Sequence, residues 1–334
     1  METKAGPVPI IKTRLTAGEW MSTTLVRCGI NRHNYTLCPG LYGVGQPHEG
    51  SEVLVTANFK LSFDHLRRTL SGINAWILVL DTRGINVWCA AGKGSFGTKE
   101  LVSRIKEVKL DSIVAHKRLI LPQLGATGVN AKEVKALSKF RVIYGPVRAK
   151  DLPLFLKNNK KADPFMRQVT FTFLERLILT PVEVQILFKP AIIATVVLFI
   201  LSGIGPGIFS FTSAWTRTGY GLYALAGGIF SGAVITPILL PWIPVRAFAL
   251  KGILLGSAAG AALVWKLCPE SISFSRALAL FLFTTATSSF LAMNFTGTTP
   301  FTSPSGVEKE MKQYIPVQMI LMGLSTGLLI YSGF

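Results

Sequence analysis

Four windows without Asp, Glu, Lys or Arg, 190–216, 218–245, 277–307 and 313–334, dominate the second half of this chain. Each exceeds the ~20 residues with which a helix, rising ~1.5 Å per residue, crosses ~30 Å of hydrocarbon. A fifth stretch, 247–265, is interrupted by Lys251, and its Gly252, Gly256 and Gly260 recur every four residues, a spacing that lets one helix approach its neighbours closely. Five spans are expected, with Lys251 near the end of one, where a lysine can snorkel to the interface. Thr180-Pro181-Val182-Glu183 carries a start signal for the first: a capping threonine, a proline at the first helical position and a glutamate that completes a capping box.

Charge separates the two halves. Of 35 Lys and Arg, 27 precede Thr180, as do 13 of 17 Asp and Glu, so the net charge of +18 divides as +14 and +4. The 12 charges after Thr180 are too few to cover a water-exposed globule of that size, so lipid is the expected solvent there. Lys157, Lys160, Lys161, Arg167, Arg176 and Lys189 crowd before the first span, whereas the loop after it has only Arg217. That bias places the amino-terminal half on the cytoplasmic side of an inner membrane. Met1 to Arg14 has no apolar core of signal-peptide type, in agreement with a cytoplasmic domain. The expected organisation is an irregular arm over 1–50, an α/β domain over 51–165, a juxtamembrane linker over 166–181 and an all-α transmembrane domain of about five helices over 182–334.

Within the first half, short β-rich runs alternate with amphipathic helical patterns, the signature of an α/β domain with a largely parallel sheet. Strands are expected at Glu52–Thr56, Ala75–Leu80, Arg118–Leu121 and Arg141–Tyr144, and helices at Ser62–Ser71, Lys99–Leu110, Asn130–Lys139 and Lys150–Lys157. Ligands of such sheets bind beyond the carboxyl ends of the strands, so the loops starting at Thr56, Asp81, Leu121 and Gly145 should border one site.

Gly92-Lys93-Gly94-Ser95-Phe96-Gly97 is a GxGxxG string, but it does not follow a strand directly and its nearest downstream acid is Asp111. It reads either as a dinucleotide site or, more simply, as a turn before the helix at Lys99. Cys89 stands just ahead of it. A lone cysteine between Trp and Ala is usually a small buried hydrophobe. Its place after a strand, on a short helix, points the other way: Ala90, Ala91 and Gly92 give a flat face for a large planar ligand, and Lys93 with a helix amino terminus favours the thiolate. Cysteines 28, 38, 89 and 268 show no CxxC pair or cluster spacing, so no intrinsic iron–sulfur cluster is expected and electrons would come from a partner. Histidines 33, 48, 65 and 116 make no zinc pattern, no nucleophile elbow appears, and the dispersed Lys and Arg suit anionic membrane lipid rather than nucleic acid.

The segment Asn86-Val87-Trp88-Cys89-Ala90-Ala91-Gly92-Lys93-Gly94-Ser95-Phe96-Gly97-Thr98 resembles the signature of the HgcA family, the membrane-anchored corrinoid proteins of anaerobic mercury methylation. Gly29-Ile30-Asn31-Arg32, Pro39-Gly40-Leu41-Tyr42, Val55-Thr56-Ala57-Asn58, Leu121-Pro122-Gln123-Leu124-Gly125-Ala126 and Gly145-Pro146-Val147-Arg148-Ala149-Lys150-Asp151 are also similar to that family. Ser95 stands where the family pattern has Thr. Asp64-His65 are adjacent, so the Asp-x-His-x-x-Gly arrangement of many cobalamin proteins is missing.

The resemblance implies a Rossmann-like corrinoid-binding domain carrying a cobalamin-type cofactor. Cys89 would be the lower axial ligand of cobalt, on a cap helix positioned by Asn86 and Trp88. Val87, Ala90, Ala91 and Gly92 would line the cofactor, Thr56 and Asn58 would touch it, and Gly125, Ala126, Gly145 and Pro146 would border it. It further implies methyl transfer to Hg(II) to form methylmercury, a ferredoxin-like partner with two 4Fe–4S clusters as electron donor, and a folate-linked methyl donor. The alternative is a membrane-anchored corrinoid methyl carrier of one-carbon metabolism, of the acetyl-CoA pathway type. A membrane receptor binding a nucleotide at Gly92–Gly97 is a third, non-enzymatic reading.

Overall fold

A computed structural model describes residues 1–267 and 272–334, which form two compact units divided near Thr170. Cys268 lies outside the described residues.

The first unit is built on a six-stranded sheet: β1 (Ile10–Ile11), β2 (Gly40–Val44), β3 (Glu52–Ala57), β4 (Ala75–Leu80), β5 (Arg118–Leu121) and β6 (Arg141–Tyr144), in the order β1-β2-β4-β3-β5-β6. β3 to β6 are mutually parallel, and β2 runs antiparallel to β4 with Tyr42 opposite Ile77. The run Ala75-Trp-Ile-Leu-Val-Leu80 is buried at every position, as a parallel strand covered on both faces requires. Alternate residues feed two cores. Trp76, Leu78 and Leu80 pack with α3 (Val87–Lys93), α4 (Thr98–Glu107) and α6 (Ala131–Ser138), while Ile77 and Val79 pack with α2 (Lys60–Thr69) and α7 (Leu152–Lys157). Each fully buried aliphatic side chain contributes about 1.5–3 kcal/mol.

The opening fifty residues are more ordered than an irregular arm. They hold α1 (Ala17–Arg27) and supply β1 and β2, which extend the sheet along its β4 edge. The four strands expected from residue 51 onward are all present, the first longer by Ala57. The expected helix over 99–110 is broken at Lys109, whose φ of 47° ends α4 before the short α5 (Leu110–Ile113).

The second unit is helical: α8 (Phe173–Ile186), α9 (Phe188–Gly203), α10 (Phe211–Ile229), which continues through a π-turn at Phe230–Ile235 into α11 (Thr236–Leu239), then α12 (Phe248–Leu267), α13 (Phe274–Phe295) and α14 (Pro304–Tyr331). Four of these helical stretches are long and apolar enough to cross a membrane, and α8 with α9, bent by 48°, makes a fifth if the pair is one span. The start expected at Thr180 lies eight residues too late. Thr172 is the cap and Glu175 its capping-box partner, and Pro181 sits inside α8. The helix tolerates this proline because the Leu177 carbonyl, which loses its amide partner at Pro181, accepts a hydrogen bond from Thr180 Oγ1 at 2.9 Å. The glycine spacing of α12 does what it implies: a Cβ on Gly252 or Gly256 would come within 2.7 Å of α13 atoms at Ser288. Lys251 does not snorkel. It is 6% exposed and donates to the carbonyls of Leu240 at 2.9 Å and Ile243 at 2.7 Å.

Candidate functional site

The order β4-β3-β5-β6 is that of a doubly wound sheet whose winding direction reverses between β3 and β5. The carboxyl ends at this switch point are where such sheets bind ligands. Here those ends carry Thr56 to Asn58 and Leu121 to Gly125, and α3 packs on both.

Asn58 is 6% exposed and organises the loop that leads from β4 into α3. Its Oδ1 accepts from the backbone N–H groups of Thr82 and Gly84, each at 3.0 Å, and its Nδ2 donates to Asp81 Oδ1 at 3.2 Å. Thr82, fully buried, places its hydroxyl 2.6 Å from the Ile85 carbonyl. Arg83 and Gly84 take left-handed backbone angles to complete the turn. The loop therefore delivers the chain to Asn86 in a fixed direction. Asn86 caps α3, its side chain accepting from the Cys89 N–H at 2.9 Å.

α3 has two faces. Val87, Ala90 and Ala91 are buried, whereas Trp88, Cys89, Gly92 and Lys93 are exposed. Trp88, 43% exposed, does not anchor the helix as the resemblance implies; the three buried residues do. Gly94, at φ 82°, ends the helix with its N–H on the Ala91 carbonyl, and Phe96 folds back fully buried, its N–H 3.1 Å from the Ala90 carbonyl. The GxGxxG string is thus the end of α3 and the turn into α4, with Gly97 at the cap position of α4.

The loop after β5 fits tightly beneath. A Cβ on Gly125 would lie 2.6 Å from the Phe96 ring, and one on Gly128 would lie 2.2 Å from the Phe96 carbonyl and 2.9 Å from Ala91 Cα. Gly145 donates to the Leu121 carbonyl at 2.8 Å, and the Tyr144 hydroxyl to the Val129 carbonyl at 2.6 Å, which ties β6 to the same loop. Burial holds the Tyr144 phenol above its ordinary pKa.

Of the residues singled out above, Cys89, Ala90, Ala91 and Gly92 lie together on α3, with Gly125 and Gly128 packed against it. Ala126 is half-buried in that loop, and Gly145 and Pro146 are buried at the neighbouring strand end. Thr56 and Asn58 are buried behind the site. Sequence reasoning missed Thr82, and it passed over Ser95 as a minor departure although the Ser95 Oγ is buried with no hydrogen-bond partner among the described residues. It also missed Glu100, whose Oε1 accepts from the Asp81 N–H at 2.8 Å and pairs with Arg104 at 2.8 Å. Spacing carries no signal for Thr82 or Glu100, whose contacts form only on folding.

Residues 32–155, wholly within the first unit, match a family model described as CO dehydrogenase/acetyl-CoA synthase delta subunit. Curated relatives include the acetyl-CoA decarbonylase/synthase complex subunit gamma of Methanopyrus kandleri, 33% identical over 121 residues, or 36% of this chain and 26% of the relative. The subunit gamma 2 of Methanosarcina thermophila is 34% identical over 123 residues, with the same two shares, 36% and 26%. The corrinoid/iron-sulfur protein large subunit of Moorella thermoacetica is 31% identical over 118 residues, 35% of this chain and 26% of the relative. The chain thus spans about a quarter of the length of the curated relatives it matches.

Proposed function

We propose that the first unit is a Rossmann-like corrinoid-binding domain and that the chain is a membrane-anchored, corrinoid-dependent methyl-transfer protein. One observation carries the reading: an exposed thiol, Cys89, on a capped helix at the switch point of a sheet whose sequence is similar to that of a corrinoid/iron-sulfur protein.

The residues suit a planar macrocycle. Gly92 lies inside a helix with ordinary backbone angles, and a Cβ there would meet nothing within 4 Å, so the fold does not demand glycine. Glycine costs about 1 kcal/mol relative to alanine in a helix. Its use beside Cys89 is explained if a flat ligand rests on that face. A single thiolate suffices as a protein ligand because a corrinoid brings its own four equatorial nitrogens. When bound, the corrinoid supplies a cobalt that carries a methyl group and releases it to an acceptor. Cys89 would hold that metal and donate charge to it, Asn86 would fix the cysteine backbone, and Gly92 on the same exposed face would let a flat ligand approach, while the buried Ala90 and Ala91 seat the helix. Thr56 and Asn58 support the face from behind, and Gly125, Ala126, Gly145 and Pro146 border it.

The relatives favour a corrinoid methyl carrier of one-carbon metabolism that works with partner proteins, and a folate-linked donor would remethylate it. A second reading, in which Hg(II) is the acceptor and methylmercury the product, is favoured by the thiol itself. Hg(II) is an electrophile and takes the methyl group with its electron pair, which an anionic sulfur ligand promotes. It also follows the resemblance of residues 86–98 to the HgcA family. Electrons then come from a ferredoxin-like partner, and the helices of the second unit hold the protein in the inner membrane with the first unit in the cytoplasm.

The test is anaerobic reconstitution of the full chain with a corrinoid, beside Cys89→Ala, read by absorption and electron paramagnetic resonance. Bound corrinoid whose cobalt signal lacks axial nitrogen coupling and changes in Cys89→Ala is the expected result. Folded protein that binds no corrinoid ends the proposal. Methyl transfer from the reconstituted protein to Hg(II) and to one-carbon acceptors then separates the two readings.

A further inference from the structure

α1 is amphipathic in the reverse sense for a helix on a water-exposed unit. Ala17, Trp20, Met21, Thr24 and Leu25 are exposed, and their spacing places them on one face. Trp20, Met21 and Leu25 are 48%, 63% and 41% exposed, and none of the five side chains ionises. The one polar side chain on this face, Thr24, is satisfied within the helix, its hydroxyl donating to the Trp20 carbonyl at 3.0 Å. The inward face carries the polarity instead. Thr23 and Val26 are buried, and Glu19 turns to α2, where its carboxylate pairs with Arg67 and, at 3.6 Å, with Lys60. Packing within the first unit therefore accounts for the polar side of α1 and leaves its apolar side without a role.

Charge says what covers this face. Arg68, exposed on α2, stands over the Trp20 ring with its guanidinium carbon 4.4 Å from the centroid. Lys12 and Arg14 are exposed just ahead of the helix. From Met1 to His48 the chain has two acids, Glu2 and Glu19, against five Lys and Arg, and Glu19 is held inward by its cations. A stripe of Trp, Met and Leu rimmed by cations is the pattern of helices that lie in the headgroup layer of an anionic membrane. An acidic protein face would also answer the cations. The chain favours lipid, because at residue 170 it joins this unit to helices long enough to cross a membrane, which keeps a bilayer surface at high effective concentration.

We propose that α1 docks the first unit on the surface of an anionic membrane, with Trp20, Met21 and Leu25 among the headgroups and Arg14 and Arg68 on lipid phosphates. The proposal rests on the membrane anchoring of the second unit and is independent of the corrinoid.

The full chain is placed in nanodiscs of phosphatidylcholine with or without phosphatidylglycerol, and amide hydrogen exchange over residues 18–27 is followed on the unmodified protein. A nitroxide is then attached at Met21→Cys, at Leu25→Cys or, as the aqueous reference, at the exposed Leu137→Cys of α6, in a chain whose Cys28, Cys38, Cys89 and Cys268 are replaced by serine. Collisions of each label with oxygen and with a nickel chelate are compared by electron paramagnetic resonance. In discs with phosphatidylglycerol, α1 should exchange severalfold more slowly, and labels at 21 and 25 should favour oxygen severalfold over the reference. Both effects should fade in phosphatidylcholine alone, and Arg14→Gln and Arg68→Gln should each weaken docking by about fivefold. Labels at 21 and 25 as open to nickel as the one at 137, or equal signals in the two kinds of disc, overturn the proposal. Labels shielded from both reagents also overturn it, because a protein then covers the face. Should the labelled variants not fold, exchange on the unmodified chain decides alone. A chain that does not insert into discs ends the anchoring reading and this proposal with it, and leaves corrinoid binding to its own test.

Discussion

The side-chain oxygen of Asn86 accepts a hydrogen bond from the backbone N–H of Cys89 at 2.9 Å, so the residue that starts α3 also fixes the main chain of its exposed thiol. α3 has seven residues and little propensity of its own, and its direction is set by this cap and by the Asn58 clamp before it. A short, capped, half-exposed helix keeps Cys89 in place without burying it.

Asn86→Ala should loosen α3 by about 1 kcal/mol, the usual cost of a lost cap. Hydrogen exchange of the Val87–Lys93 amides is expected to rise severalfold, with Asn86→Ser close to the parent. Unchanged exchange in Asn86→Ala would show that packing alone holds the helix.

Gly92 and Gly128 should respond in opposite ways to alanine. At Gly128 the new methyl lands 2.2 Å from the Phe96 carbonyl, so α3 or the loop must move, at a cost of about 1–3 kcal/mol typical of overpacking. At Gly92 it enters open space, so stability is kept or rises while corrinoid retention falls. Thermal melting and reconstitution of both variants check the pair; a Gly92→Ala protein that retains corrinoid fully would remove the glycine from the site.

Asn58→Ala leaves the buried Thr82 amide and the half-buried Gly84 amide without their acceptor, whereas the exposed Asp81 Oδ1 keeps the Arg83 N–H. Each buried orphan costs about 1–3 kcal/mol, so a marked fall in the denaturation midpoint is expected before any cofactor is added. An unchanged midpoint, with corrinoid binding lost, would instead make Asn58 a direct contact.

The strands of the first unit were legible because each is an apolar, β-rich run between polar turns, and such runs have little alternative once both faces are covered. β2 was hidden: Gly40 and Gly43 make Gly40-Leu41-Tyr42-Gly43-Val44 read as a turn, and only pairing with β4 makes it a strand. The entry into α8 was ambiguous for a different reason. Thr172-x-x-Glu175 and Thr180-x-x-Glu183 carry the same capping pattern, and what permits the first is a local bond from Thr180 to the Leu177 carbonyl. At the site, Cys89, Asn86 and the glycines were visible as residue types, whereas the clamp by Asn58 and Thr82 and the role of Glu100 depend on contacts across loops.

Acid and alkali should each weaken the first unit through one ionic cluster. Burial disfavours the Glu19 carboxylate, but the Thr16 N–H, Arg67 and Lys60 outweigh it and lower its pKa from 4.5 to about 2. A depressed carboxylate stabilises the fold fully above its unfolded value, and that stability is lost as pH falls from 4.5 through about 2. Burial likewise disfavours the Lys60 ammonium, but Asp64 at 2.7 Å raises its pKa above 10.5, so its contribution is present below 10.5 and lost as pH rises through the folded value. Glu19→Gln should flatten the fall in urea midpoint between pH 5 and pH 3; an equally steep fall would place the acid sensitivity elsewhere.

Lys251 is one of the charges that the second unit buries, with Arg176 and Arg217. The Leu240 carbonyl has no helical partner because residue 244, four positions on, is a proline without an N–H, and the Ile243 carbonyl lies in the same turn. Lys251 Nζ donates to both, so one ammonium closes the end of the helix that runs from α10 into α11 and ties it to α12. Lys251→Met matches the length of the side chain but leaves two carbonyls bare in a water-poor interior, at about 1–3 kcal/mol each. A melting temperature several degrees lower in detergent is expected for Lys251→Met, with Lys251→Arg between it and the parent and the exposed Lys189→Met unchanged. If Lys251→Met melts with the parent, water reaches these carbonyls and the lysine is not what holds the turn.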